Sequence, residues 1–339
     1  MAKSKLYGKD LICTRDWSVE ELNMALDLAV EMKKKRFSKD HRKILEGRTF
    51  LMFFYNPSVR TRQSFEAAAT ELGAHAQFLE PKSMRLKTSK SAGETIEDAA
   101  RVMSRYGCGI GVRILEDKID AYGDGDALLV EYAKYADVPI INMADDRFHP
   151  CQGLADVMGL RQHFGSSDLK GKKLLQIWSH GALARSWCSV QESLLINSRF
   201  GMDVTLAYPE GYDLDPEVVN QVRANCAKEG ARFEIVHDAV AGYEGADVVY
   251  ARNWMSSVAY DNGFDKQAEV EKALGFSKWI CDEEKMEQTP NALFIHPMPV
   301  DRGNEVTDEV ASGPRSIMYD VAENRLHVQK AVMALTMGE

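Results

Sequence analysis

Apolar and polar positions fall into two alternating series along the chain. From Asp16 to Lys35, apolar Leu22, Ala25, Leu26 and Ala29 recur at helical spacing and predict an opening amphipathic helix. Short apolar runs then alternate with helical stretches. The first series of predicted strands is Thr49–Tyr55, His75–Leu79, Gly109–Ile114 and Pro139–Met143, with helices at Thr61–Leu72, Glu94–Tyr106 and Asp126–Ala136. The second series of strands is Lys173–Trp178, Asp203–Tyr208, Arg232–Val236, Asp247–Tyr250 and Ala292–His296. A long helical pattern from His149 to Phe164 connects the series, and Val321–Leu335 is helical again. Strands alternating with helices imply parallel sheets covered on both faces. The expectation is α/β: two doubly wound parallel-sheet domains in series, joined by helices.

Composition narrows the class. A chain of 339 residues is too long for one compact core, and 45% apolar residues suffice to build two. The formal net charge of -9 argues against a nucleic-acid partner, yet permits an anionic small substrate, because local potential can oppose the net sign. Met1–Asp10 lacks the apolar run of a secretory signal, and no run is long enough to span a membrane. The six cysteines are scattered without a C-x-x-C pair and read as reduced thiols of a cytoplasmic protein. One stretch departs from the acidic background: Lys82 to Ala92 carries Lys82, Arg85, Lys87 and Lys90 with no acid.

Candidate chemistry begins at Ser58-Val59-Arg60-Thr61-Arg62. A buried-strand pattern, a turn at Asn56-Pro57 and a helix start form an anion site, because free N–H groups and the helix dipole face the ligand. Arg60 and Arg62 oppose that dipole, which a merely capped helix start would not call for, and each offers a fork for phosphate oxygens. Further candidates lie at strand ends. Arg113 closes one strand, and ligands bind at the carboxyl ends of such sheets. His149 could donate to a carbonyl oxygen and Gln152 could bind an amide. His296-Pro297-Met298-Pro299 leaves carbonyls free to accept from an amine. Each has a plainer alternative: a surface arginine, a structural histidine, a rigid turn. Gly107, Gly109 and Gly111 have the wrong spacing and context for a dinucleotide loop, and no metal-ligand spacing is evident.

Taken together, Phe54–Arg62, Gly93–Thr95, Gly111–Arg113, His149–Gln152, His296–Pro299 and Ala322–Arg325 resemble the aspartate/ornithine carbamoyltransferase superfamily. These segments run in family order across nearly the whole chain. Val59 departs from the family's usual S-T-R-T-R at a position that supplies mainly a backbone N–H. The resemblance implies that Ser58, Val59, Arg60, Thr61, Arg62, Arg113, His149, Gln152 and Arg325 bind carbamoyl phosphate. Arg60, Thr61, Arg113 and His149 would be catalytic, and no cofactor or metal is expected. It implies a carbamoyl phosphate domain over 1–148, with a terminal helix 321–339 packing back on it, and an acceptor domain over 149–320. It also implies a homotrimer, or a multiple of one, in which Ser89 and Lys90 of a neighbouring subunit complete the site.

The acceptor amine is less defined. Arg252, His296, Pro297, Met298 and Arg302 are the candidate contacts. Pro297 replaces the cysteine usual in the ornithine branch, and the aspartate branch's acceptor segment is missing around Arg252. Ala251–Trp254, Pro314–Ser316 and Glu323–Gln329 resemble a third branch, the N-acylornithine carbamoyltransferases, whose second domain is knotted. A crossing of that kind would involve Trp178–Arg199 and Trp254. Asp301 stands where that branch has arginine; a second ammonium group would suit it, and a solvated turn acid is the alternative. The expected reaction is carbamoyl transfer to ornithine or an N-acylated ornithine, as in arginine biosynthesis, with aspartate or another amine as alternatives. A catalytically silent anion-binding paralogue is the reading of another class.

Overall fold

The computed structural model describes residues 3–80, 93–261 and 264–339. Ser89, Lys90 and the rest of the basic stretch lie outside them. The chain divides into two compact units, one formed by residues up to Leu154 together with Glu323–Glu339, the other by Ala155–Ala322.

The first unit contains helices α1 (Val19–Lys34), α2 (Val59–Glu71), α3 (Ile96–Met103) and α4 (Asp124–Tyr135), and strands β1 (Thr49–Phe54), β2 (His75–Leu79), β3 (Gly109–Arg113) and β4 (Ile140–Ala144). The opening helix is set by a reciprocal cap. Ser18 Oγ accepts from Glu21 N, and the Glu21 carboxylate accepts from Ser18 N at 2.6 Å. The strands form a parallel sheet in the order β2-β1-β3-β4. On one face Leu51, Phe53, Ile110, Val112 and Ile140 pack against Ala100, Leu129 and Tyr132. Gly111 is there for packing: a Cβ would lie 2.9 Å from both Met143 Sδ and the Phe50 ring.

The chain leaves this unit within α5 (Pro150–Phe164) and returns within α12 (Met318–Met337). The second unit adds strands β5 (Lys173–Trp178), β6 (Asp203–Ala207), β7 (Phe233–Val236), β8 (Val248–Arg252) and β9 (Leu293–Ile295). Its helices are α6 (Cys188–Arg199), α7 (Pro216–Glu229), α8 (Ser257–Asp261), α9 (Lys266–Ala273), α10 (Glu283–Glu287) and α11 (Asp308–Ala311). The sheet order is β7-β6-β5-β8-β9, all parallel. Its core is aromatic and pinned by indole hydrogen bonds. Trp178 packs 4.5 Å from the Tyr212 ring, and Trp178 Nε1 donates to Trp254 O at 2.8 Å. Trp187 Nε1 donates to Met255 O, and Met255 N to Arg185 O, so the segment after β5 lies against the segment after β8.

Most predicted strands are found within a residue or two of their expected ends. Strand β8 runs to Arg252, beyond the predicted Tyr250, because Arg252 pairs with Trp178 of β5. Strand β9 is shorter than predicted and is flanked by a loop: Phe294 N donates to Arg315 O and Ile317 N to Phe294 O.

Candidate active site

The first sheet has a switch point. From β1 the chain moves outward to β2, and from β3 outward the other way to β4, so a crevice opens at the carboxyl ends of β1 and β3. The Ser58 loop follows β1 there. Ser58 has extended backbone, and its Oγ accepts from Thr61 N at 3.3 Å, starting α2. The first N–H groups of α2 have no partner within the helix, an arrangement that favours an anion. The Val59 side chain is exposed, so this position offers its backbone. Arg60 lies half-buried in the first turn, and Arg113 ends β3 opposite Phe54.

Thr61 is buried, and its Oγ1 accepts from Arg325 Nη2 at 3.2 Å; Arg325 Nη1 donates to Gln152 Oε1 at 2.8 Å. One guanidinium therefore ties α2, the start of α5 and α12 together. His149 is buried immediately before Pro150, and its carbonyl accepts from Gln152 N at 2.8 Å. The structure thus brings Ser58, Arg60 and Thr61 onto one helical turn and links that turn to Gln152 and Arg325.

Arg62 has side-chain partners of its own. Its Nε donates to Glu66 at 2.9 Å, one turn along α2, and its guanidinium stacks 3.8 Å from the centre of the Phe78 ring. The side chain is thus engaged along the helix, at the cavity that Ser58 and Val59 also line, and not with Ser58 or Thr61.

Supporting residues fix these loops. Asn56 Oδ1 accepts from Leu115 N at 2.7 Å, and Asn56 Nδ2 donates to Asp117, coupling the loops after β1 and β3. The fully buried Asp145 accepts from Arg147 N, Phe148 N and Asn142 Nδ2, which holds the chain just ahead of His149. Burial pushes its carboxyl well above the usual range, and the nearby acids Asp126 and Asp146 add to this. Burial likewise pushes Asp146 up to about 6, opposed by the N–H groups of Gly123 and Asp126. Among the described residues no group of His, Cys, Asp and Glu could hold a metal ion.

The second sheet has its own switch point, between β5 and β8. Arg252 ends β8, with Nη1 donating to Pro299 O at 3.0 Å and lying 3.5 Å from Glu305 Oε1. His296 follows β9 and is fully buried. Its Nδ1 accepts from Met298 N at 2.9 Å, and its Nε2 lies 3.1 Å from Glu305 Oε2. Met298 has φ +44 and precedes the cis peptide to Pro299. Pro297 and Met298 thus form a turn buttressed from beneath by His296 and Arg252. Two of the expected acceptor contacts have partners of their own. The His296 side chain is enclosed under the turn, between Met298 N and Glu305. Arg302 is engaged by Asp308 at 2.7 Å and Ser312 at 2.9 Å, so it braces a loop. Asp301 is a turn acid: its oxygens accept from Ala182 N and Asn304 Nδ2.

Comparison with known proteins decides the family. Residues 9–162 match the model for the carbamoyl-P binding domain of aspartate/ornithine carbamoyltransferase, and residues 172–336 match the model for its Asp/Orn binding domain. The chain belongs to the aspartate/ornithine carbamoyltransferase family. It is 38% identical over 334 residues to the anabolic ornithine carbamoyltransferase of Pyrococcus furiosus, covering 98% of each chain. It is 38% identical over 343 residues to the N-acetylornithine carbamoyltransferase of Xanthomonas campestris pv. campestris, again covering 98% of each. A crystal structure of acetylornithine transcarbamylase complexed with acetylcitrulline superposes with a TM-score of 0.90 at 36% identity, covering 98% of this chain and 100% of that one. An N-acetyl-L-ornithine transcarbamylase variant complexed with carbamyl phosphate and N-succinyl-L-norvaline gives 0.88 at 36% identity, covering 96% and 99%.

In this carbamoyltransferase several residues escaped the sequence reading. Glu305 is one, its only local signal being the tight turn at Gly303, where φ is +81. Ser179, His180 and Asn253 are others. They sit at the carboxyl ends of β5 and β8, with Asn253 Nδ2 donating to Ser179 O at 3.0 Å. Ser179 Oγ, His180 Nδ1 and Asn253 Oδ1 are buried without a hydrogen-bond partner. Burial pushes the His180 imidazole below its usual range, although Asp301 and Glu305 pull the other way, so the ring is neutral near pH 7.

Proposed function

We propose that the chain transfers the carbamoyl group of carbamoyl phosphate to the side-chain amine of ornithine or an N-acylated ornithine, releasing phosphate. The observation that carries this reading is the Arg325 clamp on Thr61 and Gln152, at a helix start bearing Ser58 and Arg60, in a chain whose relatives include ornithine and N-acetylornithine carbamoyltransferases. In the reaction a neutral amine attacks the carbonyl carbon, negative charge grows on the carbonyl oxygen, and the C–O bond to phosphate breaks. Thr61, Arg113 and His149 are assigned to the carbonyl oxygen, where donors lower the barrier most. Arg60 and the N-terminus of α2 take the charge of the departing phosphate, which can itself accept the amine proton. Gln152 and Arg325 orient the carbamoyl group, so that much of the acceleration comes from positioning. On the acceptor side the reading assigns Pro297 and Met298, with Arg252 behind them.

The reading extends to a cytoplasmic homotrimer, or a multiple of it, completed by Ser89 and Lys90 of a neighbour. None of the six cysteines forms a disulfide, in keeping with a reducing compartment. A cavity of about 750 Å³ opens beside Ser58 and Val59, walled by Phe54 and Phe78 and by the charged Arg62, Glu66, Glu80 and Lys118, and Val59 is 68% exposed. An exposed valine at the rim of such an opening suits cover by another subunit. Mixing inactive Lys90→Ala with inactive Arg60→Ala should restore activity if the site is shared; no complementation in a reassembled oligomer rejects the shared site.

The direct test offers carbamoyl phosphate with ornithine, N-acetylornithine, N-succinylornithine, aspartate and simple diamines, and measures ureido product. Turnover is expected with ornithine or an acylated ornithine. Turnover confined to aspartate or to an unrelated amine would replace the acceptor assignment.

A further inference from the structure

The acceptor-side turn rests on a single buried carboxylate that lies behind it, against Arg252 and His296. Glu305 is fully enclosed, and both its oxygens are used. Oε1 accepts from Asn253 N at 2.8 Å and pairs with Arg252 Nη1 at 3.5 Å, both at the end of β8. Oε2 accepts from Asp301 N at 2.7 Å and meets His296 Nε2 at 3.1 Å, both after β9. One oxygen thus serves each of two neighbouring strand ends. Glu305 is in turn held by its own backbone, which donates to Asp301 O at 2.8 Å.

The hydrogen positions in this cluster are determined by geometry. His296 Nδ1 accepts from Met298 N, so Nδ1 carries no proton and Nε2–H must donate to Glu305. Every neighbour of the carboxylate is therefore a donor. An ionised carboxylate satisfies all of them, whereas an amide of the same shape would point N–H groups at N–H groups. Burial opposes the charge on Glu305, yet the cationic Arg252 and the converging donors keep the group ionised.

We propose that Glu305 is the positioning residue of the acceptor half-site: it sets the His296 tautomer, locks Arg252 behind Pro299, and so fixes the Pro297–Pro299 turn that receives the amine. This rests on the reading of that turn as the acceptor side. A glutamine whose amide nitrogen faces Asn253 and Arg252 sets donor against donor there; one whose amide nitrogen faces His296 is accommodated only if His296 takes the other tautomer and accepts through Nε2. Its Nδ1 would then be protonated and would lose the bond from Met298 N. The effect of the charge is thus transmitted into the backbone of the turn.

The test compares Glu305→Gln and Glu305→Ala with the parent enzyme, using the amine that the parent carbamoylates. Glu305→Gln should raise the acceptor KM by about tenfold or more, the scale of one lost charge-assisted hydrogen bond. Carbamoyl phosphate affinity, measured by equilibrium binding, should stay within about twofold. Imidazole nitrogen shifts should move His296 from the Nε2–H form to the Nδ1–H form. Glu305→Ala should show the same split with a larger KM effect. A Glu305→Gln enzyme with parental acceptor KM and an unchanged tautomer overturns the proposal. So does a parallel loss of donor affinity, which would signal general damage to the fold. Should the parent itself carbamoylate no amine, the reading of the turn fails first, and the positioning role falls with it.

Discussion

Arg60 and Arg62 lie two positions apart on one helix, yet the second is committed elsewhere. Arg62 already has Glu66 and the Phe78 ring, so removing it takes away an exposed ion pair of small value. Arg62→Ala should change carbamoyl phosphate affinity by less than about threefold, whereas Arg60→Ala should weaken it by about a hundredfold, the scale of two charged hydrogen bonds. Calorimetric titration of the two variants would show the contrast, and equal losses would return Arg62 to the cradle. Sequence alone shows the charge at this position but not its direction, which depends on a ring contributed by β2. Asp146 supports a prediction about pH. Its folded pKa of about 6 exceeds the ordinary 3.8, so the native state binds the extra proton and ionised Asp146 costs stability. Relative to the parent, Asp146→Asn should therefore fare best above pH 6 and lose ground as pH falls through about 6 toward 3.8. Paired urea melts across this window measure the difference, and a variant that gains on the parent toward acid would contradict the assignment.

At the level of elements, the loops matter more than the strands that carry them. Asn56 bonds the segment after β1 to the segment after β3, so Asn56→Ala should leave Leu115 N unsatisfied and the cradle loose. Stability should fall by about 1–3 kcal/mol and carbamoyl phosphate affinity by about tenfold, both measurable by denaturant titration and binding. An Asn56→Ala enzyme with full affinity would show that the α2 cap alone holds the loop. The strands of both sheets were legible because buried parallel strands read as short apolar runs bounded by polar turns. Helix α6 was not. It is buried nearly all round, with Gln191, Glu192, Ser193 and Asn197 enclosed beside Leu194 and Leu195, so it has no polar face and no period to read. The Ser58–Thr61 helix start was legible because its signals are local in sequence. The Glu305 cluster was not, since its donors come from Arg252, Asn253, His296 and Asp301, which only the fold assembles.

For the whole molecule, the return of α12 is the dominant fact. Its last turns join the first unit through Arg325, through Lys330 Nζ bonded to Glu71 at 3.0 Å, and through Thr336 O, which accepts from Gly8 N at 2.8 Å. A ligand bound beside Arg325 should therefore stabilise a segment remote in sequence. Saturating carbamoyl phosphate should slow amide exchange in Glu323–Met337 as well as at the start of α2, by linkage of binding to local opening. Protection confined to α2 would show that Arg325 does not take part. The same feature bears on how the protein is made. A ribosome delivers Thr61 and Gln152 early, but Arg325 emerges only after every residue of the second unit. The nascent first unit thus lacks part of its core and the Arg325 bonds to Thr61 and Gln152 until synthesis is nearly done. Folding one unit at a time from the N-terminus, the usual route for long chains, is closed to it. A product truncated before Arg325 should therefore bind carbamoyl phosphate more weakly than the whole chain, leaving the cell's pool of it largely untouched until synthesis is done.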